Sequence, residues 1–333
     1  SIAGFGIVVF PERGYSIEFE PGWKQFIKES RQPADEDRAD GSGPGSFHRN
    51  CRDAGDDILS SASGDKTDAQ DKQDTCRDVE IFARAGIPDH LTDQQNPVFV
   101  AENEVQRFFS VYRHGGSLRF LIYSQPGEGV NETIQQVAIA GKDFSRWEIY
   151  SEPGETSNGG GALLPLQYPL GPLIMYYLTV RNEAIMIHAS GVHDGQRGRL
   201  FTGFSGAGKS TISGIWREAG SMLINDDRLI IRKRGGRFLM YNTPMFYEDV
   251  PREAPLDEIY LISHSPVNKM KRITGATAVT RVLAHCIQNN YDKGYIENHL
   301  TFLGDLCSRT DVFELGFVPD GSVVDFVSER QQK

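Results

Sequence analysis

The alternation of apolar and polar residues predicts folded elements at both ends of the chain and none in one long segment between them. Alternation over residues 6–10 and 15–19 predicts two β-strands. It resumes after Pro97, and residues 1–155 are therefore predicted to form a β-rich accessory domain that ends in a turn-rich linker. The strands predicted in this later part are residues 98–100, 107–112, 118–123 and 136–140.

Residues 31–78 break the pattern. They contain eleven aspartates but only three residues from the set Leu, Ile, Val and Phe. Such a segment cannot bury enough apolar area to offset the entropy lost on ordering. We therefore predict an acidic, disordered insertion at 31–78. A calcium loop is the alternative, but residues 35–40 lack the spaced ligands and the glycine of such a loop.

Residues 156–333 form the second predicted domain, and their pattern is typical of an α/β fold. A helix is expected over 172–180, with proline in its first turn, and a buried strand over 184–188. A further helix is predicted over 279–287. The basic run 232–237 is predicted to be a hairpin turn with two glycines at its tip.

Residues 203–211 read Gly-Phe-Ser-Gly-Ala-Gly-Lys-Ser-Thr and match the phosphate-binding loop pattern. Glycines let successive backbone N–H groups surround phosphate oxygens without a clashing Cβ atom. Lys209 is expected to reach the β- and γ-phosphates of ATP, and Ser210 to bind Mg²⁺. A short strand precedes the loop and a helix is predicted from about Ser210, as the motif requires. The predicted nucleotide-binding residues are Gly203, Ser205, Gly206, Ala207, Gly208, Lys209, Ser210 and Thr211.

Two adjacent carboxylates, Asp226 and Asp227, follow the next predicted strand, 221–225. An apolar strand that ends in aspartate is how a nucleotide site supplies a second Mg²⁺ ligand. Two carboxylates allow two roles, one as metal ligand and one as general base for a hydroxyl acceptor. The alternative is a surface Asx turn that opens the following strand.

Three motifs together resemble the HPr kinase/phosphorylase-related proteins, which share a fold with ATP-dependent phosphoenolpyruvate carboxykinase. They are His188-Ala-Ser-Gly-Val, the phosphate loop 203–211, and Asn225-Asp-Asp-Arg, at spacings similar to those of the family. The resemblance covers about residues 172–330. It implies a carboxykinase-like P-loop kinase core and, because relatives often assemble, a homo-oligomer.

The resemblance also implies roles for individual residues. His188 and Asp226 would lie beside the transferred phosphoryl group, with Asp226 as the base, and Lys209 completes the predicted catalytic set. Ser210, Asp227 and Glu248 would form the metal shell, although the two aspartates could exchange roles. The chain lacks the Glu-x-Arg-Gly-Leu-Gly-Ile signature of the bifunctional enzymes, which argues against HPr as the substrate.

Composition narrows the classes of partner and location. The net charge of −10 argues against nucleic acid, whose binding proteins carry a basic face. Prolines interrupt the long uncharged stretch 159–180, so no membrane span is expected. Four cysteines without a CxxC pair fit the reduced thiols of a cytoplasmic protein. None of His264, His285 and His299 shows a metal-ligand spacing.

These patterns predict a Mg²⁺- and ATP-dependent kinase that phosphorylates a hydroxyl group. The acceptor is either a serine of a protein or peptide, or a small metabolite. One of Lys269, Lys271 and Arg272 could assist by reaching the nucleotide. The alternative is an ATP-binding regulatory module with little or no turnover. Such a module needs Lys209 and Ser210 but has no chemical use for a second carboxylate.

Overall fold

The computed structural model of the chain describes residues 2–27, 78–124, 132–155, 160–245, 247, 249–288 and 291–329. These residues form an α/β protein with two large sheets. The predicted insertion 31–78 lies outside the described residues except for Asp78, and so does the predicted metal ligand Glu248.

The first large sheet belongs to the N-terminal part of the chain. The described strands of this part are β1 (Ile7–Pro11), β2 (Tyr15–Ile17), β3 (Val79–Ala85), β4 (Phe99–Glu102), β5 (Arg107–His114), β6 (Ser117–Tyr123), β7 (Ile134–Ala140), β8 (Arg146–Ser151), β9 (Gly154–Glu155) and β10 (Gly161–Leu163). Seven of them form a sheet in the order β1-β3-β8-β7-β6-β5-β4, parallel from β1 to β8 and antiparallel beyond it. The sequence pattern predicted six of these ten strands and missed β3, β8, β9 and β10.

The second large sheet follows. Its described strands are β11 (Ala184–His193), β12 (Gly198–Thr202), β13 (Met222–Asn225), β14 (Arg228–Arg234), β15 (Arg237–Asn242), β16 (Glu253–Pro255), β17 (Glu258–His264), β18 (Lys269–Ile273) and β19 (Asp311–Phe317). They run in the order β16-β15-β14-β11-β12-β17-β19-β18, and β13 pairs with β11. The long strand β11 pairs with β14 over residues 184–188 and with β12 over residues 189–193. This change of partner falls at His188.

Helices cover both faces of the second sheet. They are α1 (Leu170–Arg181), α2 (Lys209–Glu218), α3 (Gly275–Leu283), α4 (Lys293–Arg309) and α5 (Ser322–Glu329), and short 3₁₀ helices span Pro21–Phe26 and Asp89–Leu91. Trp216 of α2 packs with Phe201 and with α5 on one face of the sheet, whereas α3 and α4 pack on the other face. The predicted helix start near Ser210 and the stop at Gly220 (φ 92°) are confirmed.

Helix α1 connects the two sheets. Ten of its twelve residues are buried. Its side chains share one hydrophobic cluster with the inner face of the N-terminal sheet, including Phe120 and Trp147, and with Met186 and Tyr241 of the second sheet. The predicted boundary between residues 155 and 156 therefore lies within a continuous core, and β2 pairs with β10 across it.

One predicted hairpin is confirmed and one predicted helix is wrong at its end. Strands β14 and β15 form the hairpin, with Gly235 and Gly236 at positive φ (54° and 74°) in the turn. The helix expected over 279–287 ends at Leu283 instead. Residues 285–287 bond to the free edge of β11, where Ile287 N donates to Met186 O (2.8 Å). No helix among the described residues is long and apolar enough to cross a bilayer.

Candidate nucleotide site

The predicted phosphate loop connects β12 to α2 and contains two left-handed glycines. Gly206 and Gly208 adopt positive φ values of 77° and 93°, and Gly208 is the N-cap of α2. A Cβ atom at Gly203 would lie 2.9 Å from the carbonyl oxygen of Ile262. The loop therefore depends on its glycines for both backbone conformation and close packing against β17. Side chains at the loop surface and at the start of α2, Phe204, Ser205, Ser210 and Thr211, are exposed.

Lys209 is buried inside this loop. Its Nζ atom donates to the carbonyl oxygens of Gly203 (3.0 Å) and Phe204 (3.3 Å). Burial lowers the pKa of Lys209, and the nearby Asp227 carboxylate raises it part of the way back. Lys209 and Asp227, 18 positions apart in the chain, are therefore close enough to interact electrostatically.

His188 and Asp227 lie in contact beside the loop. The Nε2 atom of His188 is 3.3 Å from Oδ1 of Asp227, and Nε of Arg228 donates to Oδ2 of Asp227 (3.1 Å). The backbone holds the pair, because Thr202 Oγ1 donates to His188 O (2.9 Å) and Ala189 N donates to Asp227 O (3.0 Å). The hydrogen bond from His188 lowers the pKa of Asp227, and the charge on Arg228 adds to the effect.

Asp226 has a different environment from its neighbour. Its carboxylate makes no hydrogen bond or ion pair with any described residue, and its side chain is half-buried. The buried Asn225 sets the turn: its Oδ1 accepts from Asp226 N, and its Nδ2 donates to Arg228 O (both 2.8 Å). The turn thus presents one engaged carboxylate, that of Asp227, and one with no partner among the described residues, that of Asp226.

Two histidines reach the loop although the sequence offered no metal spacing for them. His264, at the end of β17, donates from Nε2 to Gly206 O (3.0 Å), and its ring stacks on Phe317. His285 contacts the ring of Phe204 edge-on, with 4.9 Å between ring centroids. Burial lowers the pKa of His285, and Lys209 and His188 lower it further. The sequence signal for His264 was its position just after the predicted strand 259–262, and only the sheet topology shows that this strand lies parallel to β12.

The segment after β15 borders the two aspartates. Arg252 pairs with Asp249, and the Asn242 side chain donates to Val250 O (2.9 Å). Burial raises the pKa of Tyr247, and the carboxylates of Asp226, Asp249 and Asp227 raise it further. The predicted ligand Glu248 belongs to this segment but lies outside the described residues. The predicted basic residues Lys269, Lys271 and Arg272 lie in the edge strand β18, where Arg272 pairs with Asp311.

The predicted metal ligands present at this site are few. Within the described ranges, no group of three or more His, Cys, Asp or Glu side chains is arranged to hold a metal. Ser210 and Asp227, both solvent-accessible, are the predicted ligands that remain. Mg²⁺ is commonly held by one or two protein groups together with phosphate oxygens, so this sparse set fits a metal that arrives with a nucleotide.

Neither a protein-family model nor a curated protein sequence matches the chain. One solved structure with a detectable similarity is the HPr(Ser) kinase/phosphatase from Coxiella burnetii, at 10% sequence identity and a TM-score of 0.26. The match covers 44% of this chain and 99% of the other. A TM-score this low carries no argument about fold or activity, so the geometry of the site alone bears on function.

Proposed function

We propose that the chain is a Mg²⁺- and ATP-dependent kinase with a carboxykinase-like P-loop core of the HPr kinase-related type. The observation that carries the proposal is the meeting of Lys209 with the His188–Asp227 pair at one phosphate loop. Phosphoryl transfer needs cationic and dipolar groups on the phosphates and a carboxylate near the acceptor hydroxyl. A site that only binds nucleotide has no use for the second feature.

The residues of the loop fit a triphosphate. Gly206 and Gly208 keep the loop amides free of Cβ atoms, and the N-terminus of α2 adds a positive dipole. Lys209 would exchange the carbonyl oxygens of Gly203 and Phe204 for phosphate oxygens. Ser210 and Asp227 would hold Mg²⁺, in which case Asp227 must give up one of its present contacts. When bound, Mg²⁺-ATP supplies the γ-phosphoryl group.

The free carboxylate of Asp226 would take the proton of the acceptor hydroxyl. His188 and Arg228 lower the pKa of Asp227, so Asp227 stays ionised and is held by both partners. Asp226 has neither contact and remains open to an incoming hydroxyl. This division assigns proton acceptance to Asp226 and charge balance to Asp227. Residues 1–155 would then be the accessory part and 156–333 the kinase part of a cytoplasmic, oligomeric enzyme.

Label transfer from γ-labelled ATP in the presence of Mg²⁺ tests the proposal. The purified chain is incubated with host extract, and the label is resolved into protein, peptide and small-molecule fractions. We expect the wild type to label one fraction and Lys209→Ala or Asp226→Asn to lower the rate by about 100-fold or more. Exposed residues of the same type provide matched controls, Lys142→Ala and Asp325→Asn, which should retain the wild-type rate.

Nucleotide binding measured on the same proteins separates the two functions. If the wild type binds ATP in a manner that depends on Lys209 but labels no fraction, the regulatory-module alternative replaces the kinase. If the wild type and both variants label a fraction equally, the label comes from another protein of the extract. The assignment of Lys209 and Asp226 is then wrong.

A further inference from the structure

A second candidate site lies on the outer face of the N-terminal sheet, away from the phosphate loop. A cavity of about 520 Å³ lies against β5 and β6 and is lined by the segment around residues 90–98. Small-molecule sites are commonly 300–1,000 Å³, so this cavity has room for a small organic molecule. The lining residues that matter here are His90, Asp93, Asn96, Tyr112, His114 and Arg119.

Arg119 is the most unusual residue of this cavity. It is only 7% exposed, and its guanidinium lies over the ring of Tyr112, 4.8 Å from the centroid. Its Nη2 atom donates to the backbone oxygen of Asp93 (2.6 Å), while Nε is buried without a hydrogen bond. Nη1 has no partner among the described residues either, but unlike Nε it is not fully buried, so it is the nitrogen open to the cavity.

No carboxylate among the described residues pairs with Arg119. The same chain shows how a buried guanidinium is otherwise accommodated: Arg199, which is 0% exposed, forms ion pairs with Asp194 and Glu258. A desolvated cation without a counter-ion is unfavourable, and an anion in the cavity would remove that cost. The contrast between Arg119 and Arg199 therefore identifies a missing negative charge at this cavity.

The rest of the lining suits an anion with an organic body. His90 and His114 are exposed at the rim and can donate hydrogen bonds, as can the side-chain amide of Asn96. The acidic residue of the lining, Asp93, already accepts from Gln95 N through Oδ1 (3.0 Å). Val98, which is half-buried, supplies an apolar part of the lining. The net charge of −10 makes non-specific attraction of anions an inadequate explanation for binding here.

We propose that this cavity binds a small organic oxyanion, whose carboxylate or phosphate group pairs with Nη1 of Arg119 and hydrogen-bonds with His114 at the rim. The proposal goes beyond the kinase reaction and does not depend on it. An accessory domain with its own anion site would let a metabolite or a charged part of the acceptor bind apart from ATP.

Isothermal titration calorimetry of the full chain with citrate and with inorganic phosphate, without Mg²⁺, tests the site. Arg119→Gln removes the buried cation, and His114→Gln changes only the exposed rim. Arg13→Gln is the matched control, because Arg13 is an exposed arginine just after β1, at the opposite edge of the same sheet. Lys209→Ala reports whether a probe binds the phosphate loop instead.

We expect the wild type, Arg13→Gln and Lys209→Ala to bind one of the two probes with the same affinity. Arg119→Gln should bind it about tenfold or more weakly, and His114→Gln several-fold more weakly. The probe that binds identifies the ligand's group as carboxylate or phosphate. Absence of binding to the wild type, or loss of binding only in Lys209→Ala, overturns the proposal. Circular dichroism checks that each variant folds. If Arg119→Gln does not fold, an unchanged affinity in His114→Gln overturns the proposal.

Discussion

The Nε2 atom of His188 lies 3.3 Å from Oδ1 of Asp227, at the point where β11 exchanges β14 for β12 as its partner. The two side chains are 39 positions apart in the sequence, and the sheet register brings them into contact. The contact keeps Asp227 ionised beside the ammonium group of Lys209. It thereby joins the histidine motif, the phosphate loop and the aspartate pair into one electrostatic unit.

This contact predicts the titration of Asp227. Replacing His188 by alanine removes the largest cause of its lowered pKa, so Asp227 should titrate at a higher pH in His188→Ala than in the wild type. The ordinary aspartate pKa is 3.8, and the stability contributed by a lowered pKa is present above that value and lost as the pH falls below it. Carboxyl-carbon NMR measures both titrations. His264→Gln, altered on another side of the loop, is the control, and equal titration in all three proteins would contradict the contact.

The position of His285 beside the loop predicts how its own pKa responds to a change at Lys209. Burial is the main cause of its lowered pKa, and the charge on Lys209 is the next. In Lys209→Met, we therefore expect the pKa of His285 to rise toward 6.5 without reaching it. Imidazole NMR follows the change, and Lys142→Met serves as the control. An unchanged value in Lys209→Met would mean that His285 does not face the phosphate loop in solution.

The burial of His299 makes the free energy of unfolding depend on pH. This histidine is 2% exposed on α4, packs edge-on against Tyr176, and burial lowers its pKa to about 4. Between the ordinary value of 6.5 and about 4, the unfolded chain binds more protons than the folded chain, so the free energy of unfolding falls as the pH falls. At pH 5 this residue alone should lower the free energy of unfolding by about 2 kcal/mol relative to its value at high pH.

Chemical denaturation of His299→Phe at several pH values tests this expectation. The variant should lose less stability than the wild type between pH 6.5 and pH 5, by about 1.5 kcal/mol, because phenylalanine carries no titrating group. His90→Gln, which alters an exposed histidine, should keep the wild-type slope. Parallel slopes for the wild type and His299→Phe would show that His299 is not buried in its neutral form.

Gly22 connects the N-terminal part of the chain to the candidate site. A Cβ atom there would lie 1.5 Å from the carbonyl oxygen of Met245, whose Sδ contacts Nη2 of Arg228 (3.8 Å), the partner of Asp227. We expect Gly22→Ala to lower the free energy of unfolding by about 1–3 kcal/mol or more and to lower the rate of phosphoryl transfer as Met245 shifts. Thermal denaturation and label transfer measure the two effects.

The matched control is Gly304→Ala in α4, where a Cβ atom meets nothing within 4 Å. That change should raise stability by up to about 1 kcal/mol, because alanine favours a helix, and leave the transfer rate as it is. A Gly22→Ala protein as stable as the wild type would contradict the close backbone approach.

The sequence by itself determined the features that depend on neighbouring residues. The glycine loop before α2, the start and stop of α2 and the β14–β15 hairpin all follow from glycine conformations and short hydrophobic periods. Such patterns act over a few residues and can be read in order along the chain. Helix α3 marks their limit: the periodicity continued past Leu283, but the free edge of β11 offered its backbone groups a better partner.

Only the tertiary structure decided which distant residues meet. Strand order brought His188 to Asp227, His264 and His285 to the phosphate loop, and Gly22 to Met245. It also left Arg119 buried without a counter-ion among the described residues, while giving two to Arg199. Hydrophobic patterns specify which face of a strand is buried, but not which strand becomes its neighbour. That choice is made by the packing of the whole core, and it decides which side chains meet at each candidate site.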